Sequence, residues 1–324
     1  MSTVFDVVLL LALPASGKSE VRKLLSTVPA EKLREDFHIG DNLQLDDFPY
    51  VFLMRRIDEE LEELGKDPLY YPGQNPFIDG RDWGTLIELL NEDYYDMVTK
   101  KEINADSYAD YLFRRIDDAS ERNGLSRRIE ALDEETKAVL KEKLEDHCKA
   151  MTMEKLAGYP DSLEGKTIVI EMARGGSDGA KMPLQDPFGY QYSLRKFCPE
   201  ILEKAAVLYV YVEPEESRRK NEARYDPNDP GSSIHHMTPL SVMLYDYGCD
   251  DMLYLRETSD IEDTITIKND SGTYYLPIGV FDNRVDKTTF LRDDPATWDK
   301  ELVKEVTASI HDATDTMWKN YHKS

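Results

Sequence analysis

The sequence predicts an α/β protein with three layers, in which helices cover both faces of a mainly parallel sheet and a large helical insertion interrupts the chain. Short apolar runs rich in β-branched residues alternate with stretches of helical periodicity, as buried parallel strands and their crossover helices do. A turn of small residues follows the first run. Residues 66–165 show helical patterns and many turn formers, which is typical of an insertion rather than of the sheet.

Composition restricts the range of functions. The chain has 324 residues, with 64 acidic and 40 basic residues and a net charge of -24. Such a surface repels polyanions, so a small acceptor is expected and nucleic acid is not. The three cysteines have neither the spacing of a metal site nor the even number of a disulfide framework. Without a signal peptide or an apolar stretch of membrane length, we expect a cytoplasmic protein with no membrane contact.

The first strand is predicted within residues 4–13, which are almost entirely apolar. The turn that follows fits A-x-x-x-x-G-K-S, the phosphate-binding P-loop with Ala12 at the position of the usual first glycine. The N–H groups of such a loop and the positive end of the next helix bind phosphate. Ala12 is compatible with this if its φ stays negative, because only glycine takes positive φ freely.

We expect this loop to hold the triphosphate of ATP. Lys18 would reach the β- and γ-phosphates, and Ser19 would reach Mg²⁺. An ordinary strand-to-helix turn with a chance GKS sequence is the alternative. The residues expected to contact the nucleotide are Pro14, Ala15, Ser16, Gly17, Lys18, Ser19 and Glu20.

The segment LPASGKS resembles the loop of P-loop kinases related to the nucleoside-monophosphate, shikimate and gluconate kinases. This resemblance implies a three-layer P-loop NTPase fold, with its core in residues 1–65 and 166–324, a lid around 214–240, and an acceptor-side cap in 66–165. It also implies ATP- and Mg²⁺-dependent phosphoryl transfer to a small-molecule hydroxyl or phosphate acceptor. A nucleotide-binding regulatory or assembly protein that has lost transferase activity is the alternative.

A second strand is predicted at residues 37–39, with Gly40-Asp41-Asn42 at its carboxyl end. Because these ends of parallel strands face one crevice, Asp41 is a candidate for the carboxylate that orients the attacking hydroxyl. GDN is also similar to a GD-containing segment of gluconate and adenylylsulfate kinases. Asp46 and Asp47 compete for the role, although Asp47 also suits the cap of a helix that begins at Phe48. A plain turn aspartate is the alternative for Asp41.

The insertion contains predicted helices at residues 83–97 and 136–151, and Asp133 is placed to cap the second. Its aromatic residues could either line an acceptor pocket or pack within a helical cap, and both alternatives stay open. The candidates for lining an acceptor pocket are Arg81, Trp83, Tyr94 and Tyr95.

A third strand is predicted at residues 167–170 and ends at Glu171. An acid at this place reaches Mg²⁺ or takes a proton, as a Walker-B-type group does, so Glu171 is a candidate metal ligand and catalytic residue. Glu171 and Arg174 resemble the E-x-x-R pattern of nucleoside kinases, which implies that Arg174 meets acceptor or phosphate. A structural salt bridge is the alternative. The glycine-rich segment after Arg174 is predicted to be a mobile loop.

A fourth strand is predicted at residues 205–212. In P-loop kinases the next segment is the lid, so the resemblance implies that Arg218, Arg219 and Arg224 close over the phosphates. Guanidinium groups suit this work because they bind two phosphate oxygens at once and stay charged. A solvated helix face with neighbouring glutamates is the alternative. Residues 264–268 and 273–276 predict a strand pair, and a final helix is predicted from Asp294.

Overall fold

The computed structural model describes residues 3–223 and 237–321 of the chain. These residues form an α/β structure with a six-stranded sheet in the order β2-β3-β1-β4-β6-β5. The strands are β1 (Val7–Leu11), β2 (Asp41–Asp46), β3 (Lys166–Met172), β4 (Ala205–Tyr211), β5 (Thr264–Asn269) and β6 (Gly272–Asp282). The α-helices are α1 (Lys18–Thr27), α2 (Ala30–Phe37), α3 (Phe48–Glu63), α4 (Asp82–Thr99), α5 (Tyr108–Arg122), α6 (Glu134–Ala157), α7 (Gly189–Leu194), α8 (Pro199–Leu202), α9 (Pro214–Ala223), α10 (Leu240–Tyr245), α11 (Met252–Glu257) and α12 (Lys300–Tyr321).

The chain divides into two compact units. The first unit comprises Met1–Asn42, Glu164–Arg195 and Pro199–Ser324, and the second comprises Leu43–Leu163 and Lys196–Cys198. The second unit therefore starts ahead of residue 66, where the sequence suggested that the insertion begins. Within the described residues, no helix combines the length and the apolar character that crossing a bilayer requires.

Strand β1 lies in the middle of the sheet. It pairs in parallel with β3 on one side and with β4 on the other, and β4 pairs in parallel with β6. All five residues of β1 are buried, as expected for a strand covered on both faces. On one face Val8 and Leu10 share a core with Leu24 of α1 and Ile310 of α12. The predicted α/β class with a mainly parallel sheet is confirmed.

The carboxyl ends of these parallel strands share one edge of the sheet. Leu11 stands opposite Met172 of β3 and Tyr209 of β4, and Tyr211 stands opposite Asp282 of β6. From β1 the chain continues to β2, beyond β3, and it later crosses to β4 on the other side of β1. Ligand crevices of open α/β sheets form outside the carboxyl ends of the strands where the strand order reverses in this way.

The predicted strand at residues 37–39 is wrong. These residues end helix α2 and follow it, because Leu33 and Phe37 lie one helical turn apart and are both buried in the core. So short an apolar run does not distinguish a strand from the end of an amphipathic helix. His38 takes a φ of 56° after the helix, and β2 starts only at Asp41. Asp41 therefore begins a strand instead of following one.

The predicted strand pair and the two predicted helices of the insertion are present, and the final helix starts later than predicted. The strand pair is confirmed as the antiparallel hairpin of β5 and β6, and β6 runs on to pair with β4. In the second unit the two predicted helices correspond to α4 and α6, and the Asp133 side chain accepts a hydrogen bond from the Thr136 N–H at 2.9 Å. The final helix, α12, starts at Lys300, after a 3-10 turn at Pro295–Thr297.

The second unit is built from helices around a buried ionic network. Helix α5 packs against α4 and α6, and α3 packs against α6. The Arg115 guanidinium pairs with Glu92 at 2.6 Å and with Asp93 at 2.8 Å. The Tyr50 hydroxyl donates to Asp93 at 2.8 Å, and Lys155 contacts the same carboxylate at 2.6 Å. Hence the cost of burying these charges is offset by close pairing.

Candidate functional site

The loop between β1 and α1 joins the central strand of the sheet to a helix that begins at Lys18. Its positive φ angles fall at Ala15 (55°) and Gly17 (108°), not at Ala12. Alanine in place of the first glycine is therefore accommodated without φ strain. A Cβ on Gly17 would lie 2.5 Å from the Thr288 hydroxyl oxygen, so both the φ and the packing require glycine there.

Side chains from two other strand ends hold this loop in place. The Asn283 side chain, just after β6, donates to the Ser16 carbonyl at 2.7 Å and to the Thr288 hydroxyl at 3.0 Å. The Ser217 hydroxyl, in the helix after β4, donates to the Pro14 carbonyl at 2.7 Å. Asn283 and Ser217 are fully buried. The loop is thus fixed before any ligand arrives, which favours binding because little freedom is lost.

The loop and the start of α1 carry several polar groups within a few residues. The Ser16 hydroxyl oxygen is buried and meets no hydrogen-bond partner among the described residues. The Lys18 ammonium donates to the Ala12 carbonyl at 3.2 Å and folds back over the loop. The first N–H groups of α1 have no acceptor within the helix and form its positive end. This arrangement suits a multiply charged anion such as a chain of phosphates.

The two residues after Lys18 differ in environment. Ser19 is exposed in the first turn of α1, so its hydroxyl is accessible to a cation beside the loop. Glu20 is nearly buried, and its carboxylate accepts from the Arg292 Nε at 2.6 Å. The predicted contact of Glu20 with a nucleotide therefore depends on its backbone N–H and not on its side chain.

Glu171 lies at the carboxyl end of β3, opposite Leu10 of β1. Its carboxylate pairs with the Arg22 guanidinium at 2.6 Å. Arg22 lies one helical turn after Lys18, so Glu171 is next to the helix that begins with the loop lysine. Among the described residues no group of three or more His, Cys, Asp or Glu side chains is placed to hold a metal ion. A Mg²⁺ ion that is bound mainly through substrate phosphates takes only one or two protein oxygens, a number that Ser19 and Glu171 can supply.

Arg174 is buried just beyond the end of β3. Its guanidinium donates to the Ser193 hydroxyl at 3.0 Å and to the Ala173 carbonyl at 2.6 Å. The next residues are tied down, since Gly176 and Cys249 exchange backbone hydrogen bonds of 2.9 and 3.1 Å. A Cβ on Gly175 would lie 2.4 Å from the Cys249 carbonyl oxygen. These two glycines, predicted to give a mobile loop, allow close packing of two chain segments.

The predicted lid arginines have different environments. Arg218 has a side chain that is 17% exposed, with its Nη1 atom 3.9 Å from Asp178. That atom is buried and meets no hydrogen-bond partner among the described residues. Arg219 is 59% exposed and pairs with Glu216 of the same helix at 2.7 Å, as a solvated helix face would. Arg224 lies outside the described residues.

The sequence-derived position of Asp41 is corrected by the structure. Asp41 is half exposed and contacts Arg34 at 3.1 Å and Lys166 at 3.5 Å. Lys166 opens β3, whereas Glu171 stands near the other end of that strand, about 16 Å further along at the usual rise per residue. Asp41 is therefore near the amino edge of the sheet, opposite to the edge that carries the 12–18 loop. It is removed from the candidate site.

The alternative carboxylates and the insertion candidates belong to the second unit. Asp46 accepts from the Phe48 N–H at 2.8 Å, and Asp47 occupies the N-cap position of α3 without a side-chain cap bond. A polar cavity of about 540 Å³ in this unit is lined by residues of α4 and α5, Tyr95 among them, and by Lys101. Trp83 and Tyr94 are buried packing residues, and the Arg81 guanidinium pairs with Asp79 at 2.6 Å.

Sequence reasoning missed the residues that contact the loop, which are Ser217, Asn283 and Thr288, and the arginines that pair with Glu171 and Glu20, which are Arg22 and Arg292. Each is a single polar residue without a motif around it. The one available signal is position, because Asn283 directly follows a strand of the sheet. Comparison with protein-family models, with curated proteins and with solved structures gave no match to this chain.

Proposed function

We propose that this chain is an ATP- and Mg²⁺-dependent P-loop kinase that transfers a phosphoryl group to a small-molecule acceptor. One observation carries the proposal: a braced loop between the central strand β1 and helix α1 combines Lys18, a positive φ at Gly17 and the unpartnered Ser16 hydroxyl. Its position at the carboxyl edge, where the strand order reverses, is the usual place of a ligand in such sheets.

In this proposal the loop amides and Lys18 bind the β- and γ-phosphates, and Arg218 supplies a further guanidinium from the helix after β4. Ser19 and Glu171 would hold Mg²⁺, which would neutralise charge on the phosphates when bound. Arg22 keeps the Glu171 carboxylate beside α1 through its 2.6 Å ion pair. The net charge of -24 favours a small acceptor over a nucleic-acid end.

The test is ADP formation from Mg-ATP in the presence of a panel of small hydroxyl and phosphate acceptors. We expect acceptor-dependent ADP formation that falls about 10²-fold or more in Lys18→Ala, because that change removes a charge contact to the transferring phosphate. Lys32→Ala, which alters an exposed lysine of α2, is the matched control and should keep parent activity. Equal turnover in both variants would contradict the proposal. ATP binding without acceptor-dependent ADP formation across the panel would favour the nucleotide-binding regulatory protein instead.

A further inference from the structure

A second polar cluster lies at the same edge of the sheet, beyond β3 and β4, around Asp250. The residues on either side of Asp250 are fixed. Cys249 exchanges hydrogen bonds with Gly176, which follows β3. The Asp251 carboxylate accepts from the Tyr190 and Gln191 N–H groups at 2.6 and 3.1 Å, at the start of α7. The stretch that contains Asp250 is therefore held by two parts of the connection from β3 to β4.

The Asp250 carboxylate is oriented by two donors. The Tyr209 hydroxyl, from β4, donates to one oxygen at 2.7 Å, and the Met252 N–H donates to the other at 3.0 Å. Tyr209 stands opposite Leu11, the last residue of β1 before the loop. Asp250 is partly buried as a residue, and the two hydrogen bonds fix the geometry of its carboxylate.

Burial and acidic neighbours both raise the pKa of the Asp250 carboxyl. Burial and the nearby Asp251 and Glu213 carboxylates raise the pKa of Asp250 to about 7, against the opposing hydrogen bonds from Met252 and Tyr209. A carboxylate with a pKa near neutrality is both available and basic enough to take a proton. Among the described residues, further titratable or charged side chains around the cluster are Tyr190, Tyr211, Cys249 and Asp178, with Arg174 next to Tyr190 and Arg284 next to Tyr211.

A buried hydroxyl beside Asp250 lacks the partner that such groups normally have. Tyr190 is fully buried and its ring packs edge-on against Tyr209, with centroids 6.5 Å apart. The Arg174 backbone N–H lies near its hydroxyl oxygen, but no described residue meets this oxygen at the distance and angle of a full hydrogen bond. Buried polar groups are rarely left unpaired, so this hydroxyl points to a ligand group that completes the cluster.

We propose that Asp250 is the catalytic base of the acceptor site, where it receives the hydroxyl that attacks ATP. This assignment rests on the proposed kinase function. In the step, the acceptor oxygen forms a bond to the γ-phosphorus and the bond from that phosphorus to the β–γ bridging oxygen breaks. ADP leaves with the electron pair, and the hydroxyl proton passes to Asp250. The Tyr209 hydroxyl keeps the carboxylate oriented, and Tyr190 offers a hydrogen bond to the acceptor.

The test uses water as the acceptor, so no metabolite has to be known. Phosphate release from Mg-ATP is measured between about pH 5 and about pH 9 for the full chain. The parent rate should rise with pH up to about pH 7 and then level off. Asp250→Asn should lower the plateau rate of phosphate release by about 10²-fold or more. It should also remove the acidic limb, which is the rise in rate with pH below about pH 7. Asp260→Asn, a matched change at an exposed aspartate, should leave both unchanged.

Tyr209→Phe provides a second readout if Asp250→Asn does not fold. It removes one hydrogen bond to the carboxylate, so the acidic limb should move upward by about one pH unit. The assignment would be overturned if a folded Asp250→Asn variant kept the plateau rate and the pH dependence of the parent. It would also be overturned if Tyr209→Phe left the pH range of the rise in rate unchanged. Phosphate release that is no faster in the parent than in Lys18→Ala would instead overturn the proposed kinase function, and this assignment with it.

Discussion

Replacing Gly17 by alanine is the sharpest test of how the loop is braced. The backbone there has a φ of 108°, and a side chain at such an angle costs about 1–2 kcal/mol. The new Cβ would lie 2.5 Å from the Thr288 hydroxyl and 2.9 Å from the Asn283 amide nitrogen. Displacing Asn283 breaks its two hydrogen bonds, each contributing about 1 kcal/mol. We expect Gly17→Ala to lower the free energy of unfolding by about 3–4 kcal/mol.

Gly165→Ala is the matched control for this experiment. Gly165 belongs to the same unit and has a φ of 68°, but its added Cβ would meet nothing within 4 Å. It should therefore show only the backbone cost of about 1–2 kcal/mol. Urea unfolding of the parent and both variants measures the difference. Equal losses in the two variants would refute the inference that Asn283 and Thr288 pack against Gly17.

Three further predictions concern other parts of the chain. Arg115→Ala should lower the free energy of unfolding by about 1.5–3 kcal/mol because it removes one of two cationic partners of the buried Asp93 carboxylate, whereas exposed Arg114→Ala should change it little; urea unfolding compares them. Asp41→Asn should turn over ATP at the parent rate, because Asp41 lies at the amino edge of the sheet, away from the loop. A loss of about 10-fold in the measured rate of ADP formation would instead indicate that Asp41 belongs to the site. Because burial raises the pKa of Asp250 to about 7, its folded form holds a proton that the unfolded chain loses near pH 4. The stability of the parent should therefore fall relative to Asp250→Asn as pH rises from about 4 to about 7, and parallel unfolding curves would contradict this.

Much of the sheet was predictable because buried parallel strands leave a strong apolar signal. The runs that became β1, β3 and β4 are of this kind, and the glycine and lysine of the loop follow the first of them directly. Residues 37–39 give a wrong prediction because three residues carry no periodicity, and the helical pairing of Phe37 with Leu33 shows only when the earlier turn is included. The misplacement of Asp41 followed from that single error.

The site beyond the loop was less predictable, since it depends on contacts between distant segments. Asn283 reaches the Ser16 carbonyl across 267 residues of sequence, and nothing in its neighbourhood marks it. The orientation of the Asp250 carboxylate likewise depends on a hydrogen bond from Tyr209, and its raised pKa depends on burial beside Asp251. Both arise only when the chain is folded. Arg218 and Arg219 are neighbours in sequence, yet their exposure differs because they project from different faces of α9.

Calorimetric titration of the protein with Mg-ATP tests the central claim most directly, because it measures binding at the loop without any acceptor. The parent should bind Mg-ATP, and Lys18→Ala should bind at least about 10-fold more weakly, since a charge-assisted contact to phosphate contributes at least about 1.4 kcal/mol. Adenosine, which lacks the phosphates, should bind both proteins equally and weakly. Absence of Mg-ATP binding to the parent, or equal affinity of the parent and Lys18→Ala, would contradict the account.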